Sequence, residues 1–154
     1  MKTIVLITAI ALSFMGMQSL QAQSFADLSR SFDLHGSVRD LTTAARDGSI
    51  SSTKLYLLSG NLETLTLKSK EPFSAEASFI EAYWHGYRAI EQYPAILLFR
   101  QPGFAKLVSV DRNIDDPAIL TARKNVLAIV RFVELRSVDG VQTPVLDVLD
   151  FRIP

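Results

Sequence analysis

The chain has 154 residues and contains no cysteine. This absence excludes disulfide bonds, thiol nucleophiles, thiolate metal sites and iron–sulfur clusters. The stability of the fold must therefore come from burial of apolar side chains and from backbone pairing. The composition allows this, because 48% of the residues are hydrophobic and they include nine Phe, four Tyr and one Trp.

Histidine is also scarce, and the recurring catalytic motifs are missing. His35 and His85 each precede a glycine, which favours turn positions, and no HxH or HExxH spacing occurs. Asp111, Asp115 and Asp116 could offer oxygen ligands to Ca²⁺, but they lack the EF-hand pattern. There is no GxSxG, GxxxxGK[ST] or GxGxxG motif. We therefore expect no catalytic residue, no metal site and no cofactor, and predict that the protein is not an enzyme.

No block of like charge occurs, since 16 basic and 16 acidic side chains alternate along the chain. Nucleic-acid binding depends strongly on phosphate neutralisation by a basic face. The charge pattern instead indicates a solvated surface, so nucleic acid is not expected as a partner.

The chain has no apolar run long enough for a transmembrane helix, but it has a shorter one near its start. Lys2 is followed by a nearly uninterrupted apolar stretch over 4–17 and then by small and polar residues up to Ala22. This order is typical of a secretory signal peptide, with a retained membrane anchor as the alternative. We predict cleavage after Ala22, no membrane span after cleavage, and export to the periplasm or the medium.

Two further segments follow the expected signal peptide over 1–22. The segment over 23–53 reads as a helix and a linker: Ser37 and Asp40 approximate a capping box, and Gly48 is placed to end the helix. From Lys54 the apolar period changes toward 2, which indicates strands. Residues 54–154 are therefore predicted to form a β domain.

The first predicted strand, 54–68, changes its apolar parity partway along. Tyr56, Leu58 and Leu62 share one parity with Gly60, whereas Leu65 and Leu67 have the other. A β-bulge near Glu63–Thr64 would return both sets to one face and bend the strand.

Further strands are predicted from Phe73 toward Trp84, over 88–100, over 104–110, over 126–135 and over 144–153. Asp116–Pro117 predicts the start of a short helix, and Asp139–Gly140 predicts a hairpin turn. The order of elements resembles the OB-fold, a five-stranded Greek-key barrel with a helix between its third and fourth strands. We therefore predict a mostly β, OB-like barrel with one short helix between strands and an N-terminal helical segment. Another β-barrel or an α+β roll is the alternative.

Aromatic residues concentrate in the segment 79–93, where an arginine accompanies them. Such a combination is typical of contact surfaces, although alternate rings of a strand can equally fill a core. We predict a non-enzymatic, exported binding or accessory domain for a small molecule, a glycan, a peptide or a partner protein. The alternative is a structural or envelope-assembly protein that acts through protein–protein contacts. The predicted ligand-binding residues are Tyr83, Trp84, His85, Tyr87 and Arg88.

Overall fold

Five long strands and one α-helix form the part of the chain that the computed structural model describes, which comprises residues 32–34, 36–86 and 89–154. The expected signal peptide lies outside these residues. In chain order the elements are β1 Phe32–Asp33, α1 Val38–Arg46, β2 Leu55–Ser69, β3 Ser74–His85, β4 Ala89–Phe99, a 3₁₀ helix Pro102–Lys106, β5 Asn125–Val138 and β6 Val141–Arg152.

The five long strands close into a barrel. The sheet order is β1-β2-β3-β4-β6-β5, and β2 pairs with β5 as well, which joins the two ends of the sheet. Strands β4 and β6 are parallel, whereas β2–β3, β3–β4, β5–β6 and β2–β5 are antiparallel. The predicted five-stranded OB-fold barrel is confirmed.

Strand β2 bends where it exchanges partners. It pairs with β5 from Leu55 to Asn61 and with β3 from Asn61 onward. The register with β3 shifts between Leu62 and Thr64, so the extra residue is Glu63. The predicted bulge is confirmed, and it allows apolar residues of both parities to pack against the core.

Helix α1 begins at the predicted cap. The Ser37 side chain accepts from the Asp40 amide at 3.1 Å, and the Asp40 carboxylate accepts from the Ser37 amide at 3.2 Å, which completes a capping box. Val38 and Leu41 are buried in the barrel core, so α1 is fixed to the barrel through its apolar face.

The predicted helix after Asp116 is wrong. Asp116 accepts at 2.8 Å from the amide of Ala118, as a cap would, but only a turn follows. Leu120 instead forms a parallel bridge with Val108 and is fully buried. Tertiary burial of the extended chain therefore prevails over the local helix signal.

The helix between the third and fourth barrel strands is the 3₁₀ helix, so the strand predicted over 104–110 is also wrong. Phe104 is buried, with its ring centroid 5.8 Å from that of Phe99 and 5.4 Å from that of Phe151. Edge-to-face and tilted contacts of this kind favour close packing of aromatic rings. The 3₁₀ helix is thus anchored to the barrel by one aromatic side chain.

Strands β5 and β6 are joined at the predicted hairpin turn. Asp139 and Gly140 both have positive φ, 50° and 81°, as a type I′ turn requires. The strands extend beyond the predicted limits and pair from Val138–Val141 to Leu127–Arg152. This long two-stranded ribbon lies beside the β3–β4 pair, and the two pairs line a common groove.

Candidate functional site

The hairpin of β3 and β4 carries the only tryptophan of the chain. Trp84 on β3 lies opposite Ile90 on β4, one pair before the hairpin end at His85–Ala89. The exposed fractions are 75% for Trp84 and 51% for Ile90. Because large rings are usually well covered, this exposure marks the hairpin as a contact surface.

Tyr83 lies on the other face of the same hairpin, because successive side chains of a strand point to opposite faces. Its hydroxyl donates to the Glu81 carboxylate at 3.0 Å, and its ring meets that of Tyr93 edge to face at 6.0 Å. Burial raises the pKa of Tyr83, and the adjacent Glu81 carboxylate raises it further. Tyr83 is thus held by Glu81 and Tyr93 on one face of the hairpin while 39% of it stays exposed, whereas Trp84 lies on the other face.

Glu81 is a buried carboxylate that joins the hairpin to α1. One of its oxygens accepts from the amide of Val38 at 2.6 Å, at the helix N-terminus, where partial positive charge favours an anion. Burial nevertheless raises the pKa of Glu81, and the hydrogen bonds from Val38 and Tyr83 only partly offset that rise. The group is satisfied within the fold, so its role is structural.

Of the five predicted ligand-binding residues, the structure describes the side chains of Tyr83 and Trp84. Tyr83 and Trp84 point in opposite directions, and His85 ends β3. The side chain of His85 and the whole of Tyr87 and Arg88 lie outside the described residues. Of the two described side chains, Trp84 is the more exposed, at 75% against 39% for Tyr83.

Trp84 belongs to a two-stranded row of outward-facing residues that we call the ladder face. Within each pair the β3 residue lies directly opposite the β4 residue in the antiparallel register. Its members alternate with buried core residues, so they face away from the barrel interior. The pairs are Trp84–Ile90, Ala82–Gln92, Ile80–Pro94, Ser78–Ile96 and Glu76–Leu98.

Two grooves border the ladder face. The first, of about 560 Å³, lies toward the β5–β6 ribbon and is lined by hydroxyl groups as well as apolar ones. Its polar lining residues are Thr64, Thr66, Ser78, Thr143, Glu76, Asp139 and Arg136. The second, of about 460 Å³, lies at the β2 bend and includes Ser59, Asn61, Asn125 and Gln92. An extended ligand lying on the ladder face would find hydrogen-bonding groups on both sides.

Arg136 is the cation of the first groove, and it is already engaged. One guanidinium nitrogen donates to Glu76 at 3.2 Å and another to Glu134 at 3.3 Å. The Glu76 contact is the main cause of the raised pKa of Arg136. These ion pairs hold the guanidinium in the lining of the groove. They use two of its five N–H donors, so donors remain for a ligand.

Sequence reasoning missed the groove residues and a second cationic group on the barrel. Arg131 on β5 lies opposite Asp147 on β6 and donates to it at 3.1 Å. Arg100 donates to the same carboxylate at 2.9 Å. The available signal was a single arginine with two apolar residues on each side along β5.

Within the described residues, no helix is long and apolar enough to cross a membrane. The same part of the chain contains no group of three or more His, Cys, Asp or Glu side chains arranged to hold a metal ion.

No family model and no curated protein matches the chain. Solved structures similar to it include three at 10% sequence identity, each over 65% of this chain. They are a small single-stranded DNA-binding protein from Streptomyces coelicolor (91% of that chain, TM-score 0.43), the mitochondrial single-stranded DNA-binding protein Rim1 from S. cerevisiae (93%, 0.43) and a small single-stranded DNA-binding protein from Mycoplasma pneumoniae (92%, 0.36). The likeness concerns the barrel fold.

These structures correct the expected function. All three are single-stranded DNA-binding proteins. The exclusion of nucleic acid was therefore wrong, because a charge count over the whole chain ignores stacking on aromatic side chains. The expected secreted or periplasmic binding domain for a small molecule, glycan, peptide or partner protein is wrong on the same finding, and so is the envelope-assembly alternative. Export by itself stays an untested prediction.

Proposed function

We propose that the barrel binds single-stranded nucleic acid along the ladder face, without catalysing a reaction, and that one base stacks on Trp84. The observation that carries the proposal is the 75% exposure of this indole at the end of the hairpin. Stacking on an aromatic side chain is independent of base identity, since every base presents a π-face. The site is therefore expected to bind strands of different sequence.

The position of Trp84 suits an unpaired strand better than a duplex. Trp84 lies opposite the exposed Ile90, and Ala82 and Gln92 form the next pair along the ladder face. A base in a duplex is stacked on both sides and cannot present its face to a side chain without being extruded. An unpaired base has a free face, so single-stranded nucleic acid is the matching ligand.

The two grooves supply the polar contacts that a sugar and a base edge require. The first groove presents hydroxyls from Thr64, Thr66 and Ser78, and the second presents the amides of Asn61 and Gln92. Hydroxyl and amide groups both donate and accept, so they suit base edges and sugar hydroxyls alike. The ladder face lies on the second and third strands of the barrel, which are the strands through which OB-folds bind oligonucleotides.

The chain offers a direct reporter for this proposal, because Trp84 is its only tryptophan. Titration of the protein with an oligothymidylate of about 12 nucleotides is expected to quench the tryptophan fluorescence to a saturating level. A duplex of equal length is expected to leave the fluorescence unchanged. Absence of quenching by any single-stranded DNA or RNA oligomer at low salt would overturn the proposal.

The variant Trp84→Ala tests the role of the ring, with binding measured by anisotropy of a labelled oligothymidylate. Stacking on an aromatic ring contributes about 1–3 kcal/mol per base, so the Kd should rise by about 5- to 150-fold. The control is Val110→Ala, which truncates a side chain of 49% exposure in the loop after the 3₁₀ helix. Both variants should retain the thermal midpoint of the wild type, because both side chains are largely solvated. Equal Kd values for wild type and Trp84→Ala would contradict the proposal.

A further inference from the structure

A cluster of two guanidinium groups and one carboxylate lies at the end of the ladder face opposite Trp84. Asp147 on β6 is the register partner of Leu98 on β4 and of Arg131 on β5. Arg100, the residue after β4, donates to one oxygen of this carboxylate at 2.9 Å, and Arg131 donates to the other at 3.1 Å. Three strands thus contribute to one charged group on the outside of the barrel.

The cluster carries one net positive charge that faces solvent. The Asp147 side chain is only 12% exposed, whereas those of Arg100 and Arg131 are 49% and 46% exposed. A guanidinium has five N–H donors in a planar fork, and each arginine donates one hydrogen bond to Asp147. The carboxylate therefore holds the two half-exposed guanidinium groups next to each other.

The nearest carboxylate on the ladder face does not cancel this charge. Glu76 lies opposite Leu98, but Arg136 contacts its carboxylate at 3.2 Å and Lys68 at 3.8 Å. Glu76 is therefore compensated locally. The Arg100–Arg131 pair remains as a positive end of the ladder face, about 33 Å from Trp84 along β4 at a rise of about 3.3 Å per residue.

We infer that Arg100 and Arg131 together bind one backbone phosphate of the strand whose base stacks on Trp84. The inference rests on the proposed function. Paired guanidinium groups are the preferred partners of phosphate because their planar donors match its oxygens. A strand that reaches from Trp84 to this pair runs along the ladder face, which fits the site sizes of about 4–16 nucleotides known for one OB-fold.

The test compares wild type with Arg100→Gln/Arg131→Gln in salt titrations with oligothymidylates of about 3 and about 12 nucleotides. Each phosphate contact to a single strand contributes about −0.7 to the slope of log K against log salt concentration. We expect the double variant to lose about 0.7 of this slope for the longer oligomer and nothing for the shorter one. The longer oligomer alone can span both ends of the ladder face.

Two further variants separate charge from fold. Arg100→Lys/Arg131→Lys keeps both charges and should retain most of the salt dependence. Arg112→Gln removes an exposed arginine that belongs neither to the cluster nor to the ladder face, and it should change nothing. If the double glutamine variant does not fold, Arg100→Gln alone serves, since Arg100 lies outside the strands. An unchanged slope for the longer oligomer would overturn the inference while leaving the proposed function standing. Failure of wild type to quench with either oligomer would overturn the proposed function itself.

Discussion

The carboxylate of Glu81 accepts a hydrogen bond of 2.6 Å from the backbone amide of Val38, the first residue of α1. This contact joins two elements separated by 43 residues of chain. It holds the start of α1 against the hairpin that carries Trp84 on its other face. Helix α1 thus supports the hairpin on the face opposite Trp84, and the face that carries Trp84 remains exposed to solvent.

The first prediction concerns the pH dependence of stability. Because the pKa of Glu81 is raised above its ordinary value of 4.5, the folded state keeps this proton to a higher pH than the unfolded chain does. The contribution of this group to the free energy of unfolding is therefore fully present below pH 4.5 and falls as pH rises through the raised pKa. Glu81→Gln should remove this fall, as measured by urea denaturation from about pH 4 to about pH 8.

A companion variant shows whether the effect belongs to Glu81. The hydroxyl of Tyr83 lowers the pKa of Glu81 by donating to its carboxylate, although burial prevails. Tyr83→Phe should therefore move the fall in stability to higher pH. Identical pH profiles for wild type, Glu81→Gln and Tyr83→Phe would contradict this account.

The second prediction concerns the bend of β2 at Gly60. A Cβ at this position would lie 2.4 Å from the carbonyl oxygen of Ile80 and 2.5 Å from the ring of Phe79. The backbone of Ile80 cannot move away as the end of a flexible side chain can. The clash in Gly60→Ala should therefore lower the free energy of unfolding by about 3 kcal/mol. Gly103→Ala is the matched control, since nothing lies within 4 Å of its added Cβ. Similar denaturation midpoints for the two variants would count against the close approach.

The third prediction concerns the cap of α1. Ser37→Ala removes the oxygen that accepts from the Asp40 amide, and it should cost about 1 kcal/mol in the free energy of unfolding. Thr43→Ala removes an exposed hydroxyl of the same helix that bonds only to the Arg39 carbonyl, and should change stability by less than about 0.5 kcal/mol. Chemical denaturation of both variants measures the difference. A larger loss for Thr43→Ala would show that the cap does not govern the helix.

The fourth prediction concerns the anchor of the 3₁₀ helix. Phe104→Ala empties a buried site between the rings of Phe99 and Phe151, which should cost about 3–5 kcal/mol. Leu107→Ala, one residue beyond the same helix and 42% exposed, should cost less than about 1 kcal/mol. Thermal and urea denaturation report both values. Equal losses would mean that the segment is not held by its aromatic side chain.

Much of the barrel could be predicted because its signals are local. The parity change after Leu62 located the bulge, and Asp139–Gly140 located the hairpin, since backbone conformation at both sites depends on a few adjacent residues. The helix expected after Asp116 failed for the opposite reason. Leu120 is buried by pairing with Val108, a contact that no adjacent residue reveals.

The candidate site could be predicted only in part. The exposed Trp84 was among the predicted residues, and the alternation of a strand already implied that Tyr83 faces the other way. The Arg100–Asp147–Arg131 cluster could not be found, because it depends on the register of three strands distant in sequence. The charge count failed similarly, since it treats the surface as uniform.

The bulge at Glu63 makes the length of β2 matter as much as its composition. Before it, Leu58 and Leu62 face the core, and after it Leu65 and Leu67 do so only because one extra residue intervenes. A chain lacking Glu63 would have the same apolar content, yet each side chain of β2 after this position would point to the opposite face of the sheet. Leucines would then line the first groove, and threonines would face the barrel interior. The one extra residue, Glu63, therefore keeps the apolar face of β2 toward the core and its polar face toward solvent along the whole strand.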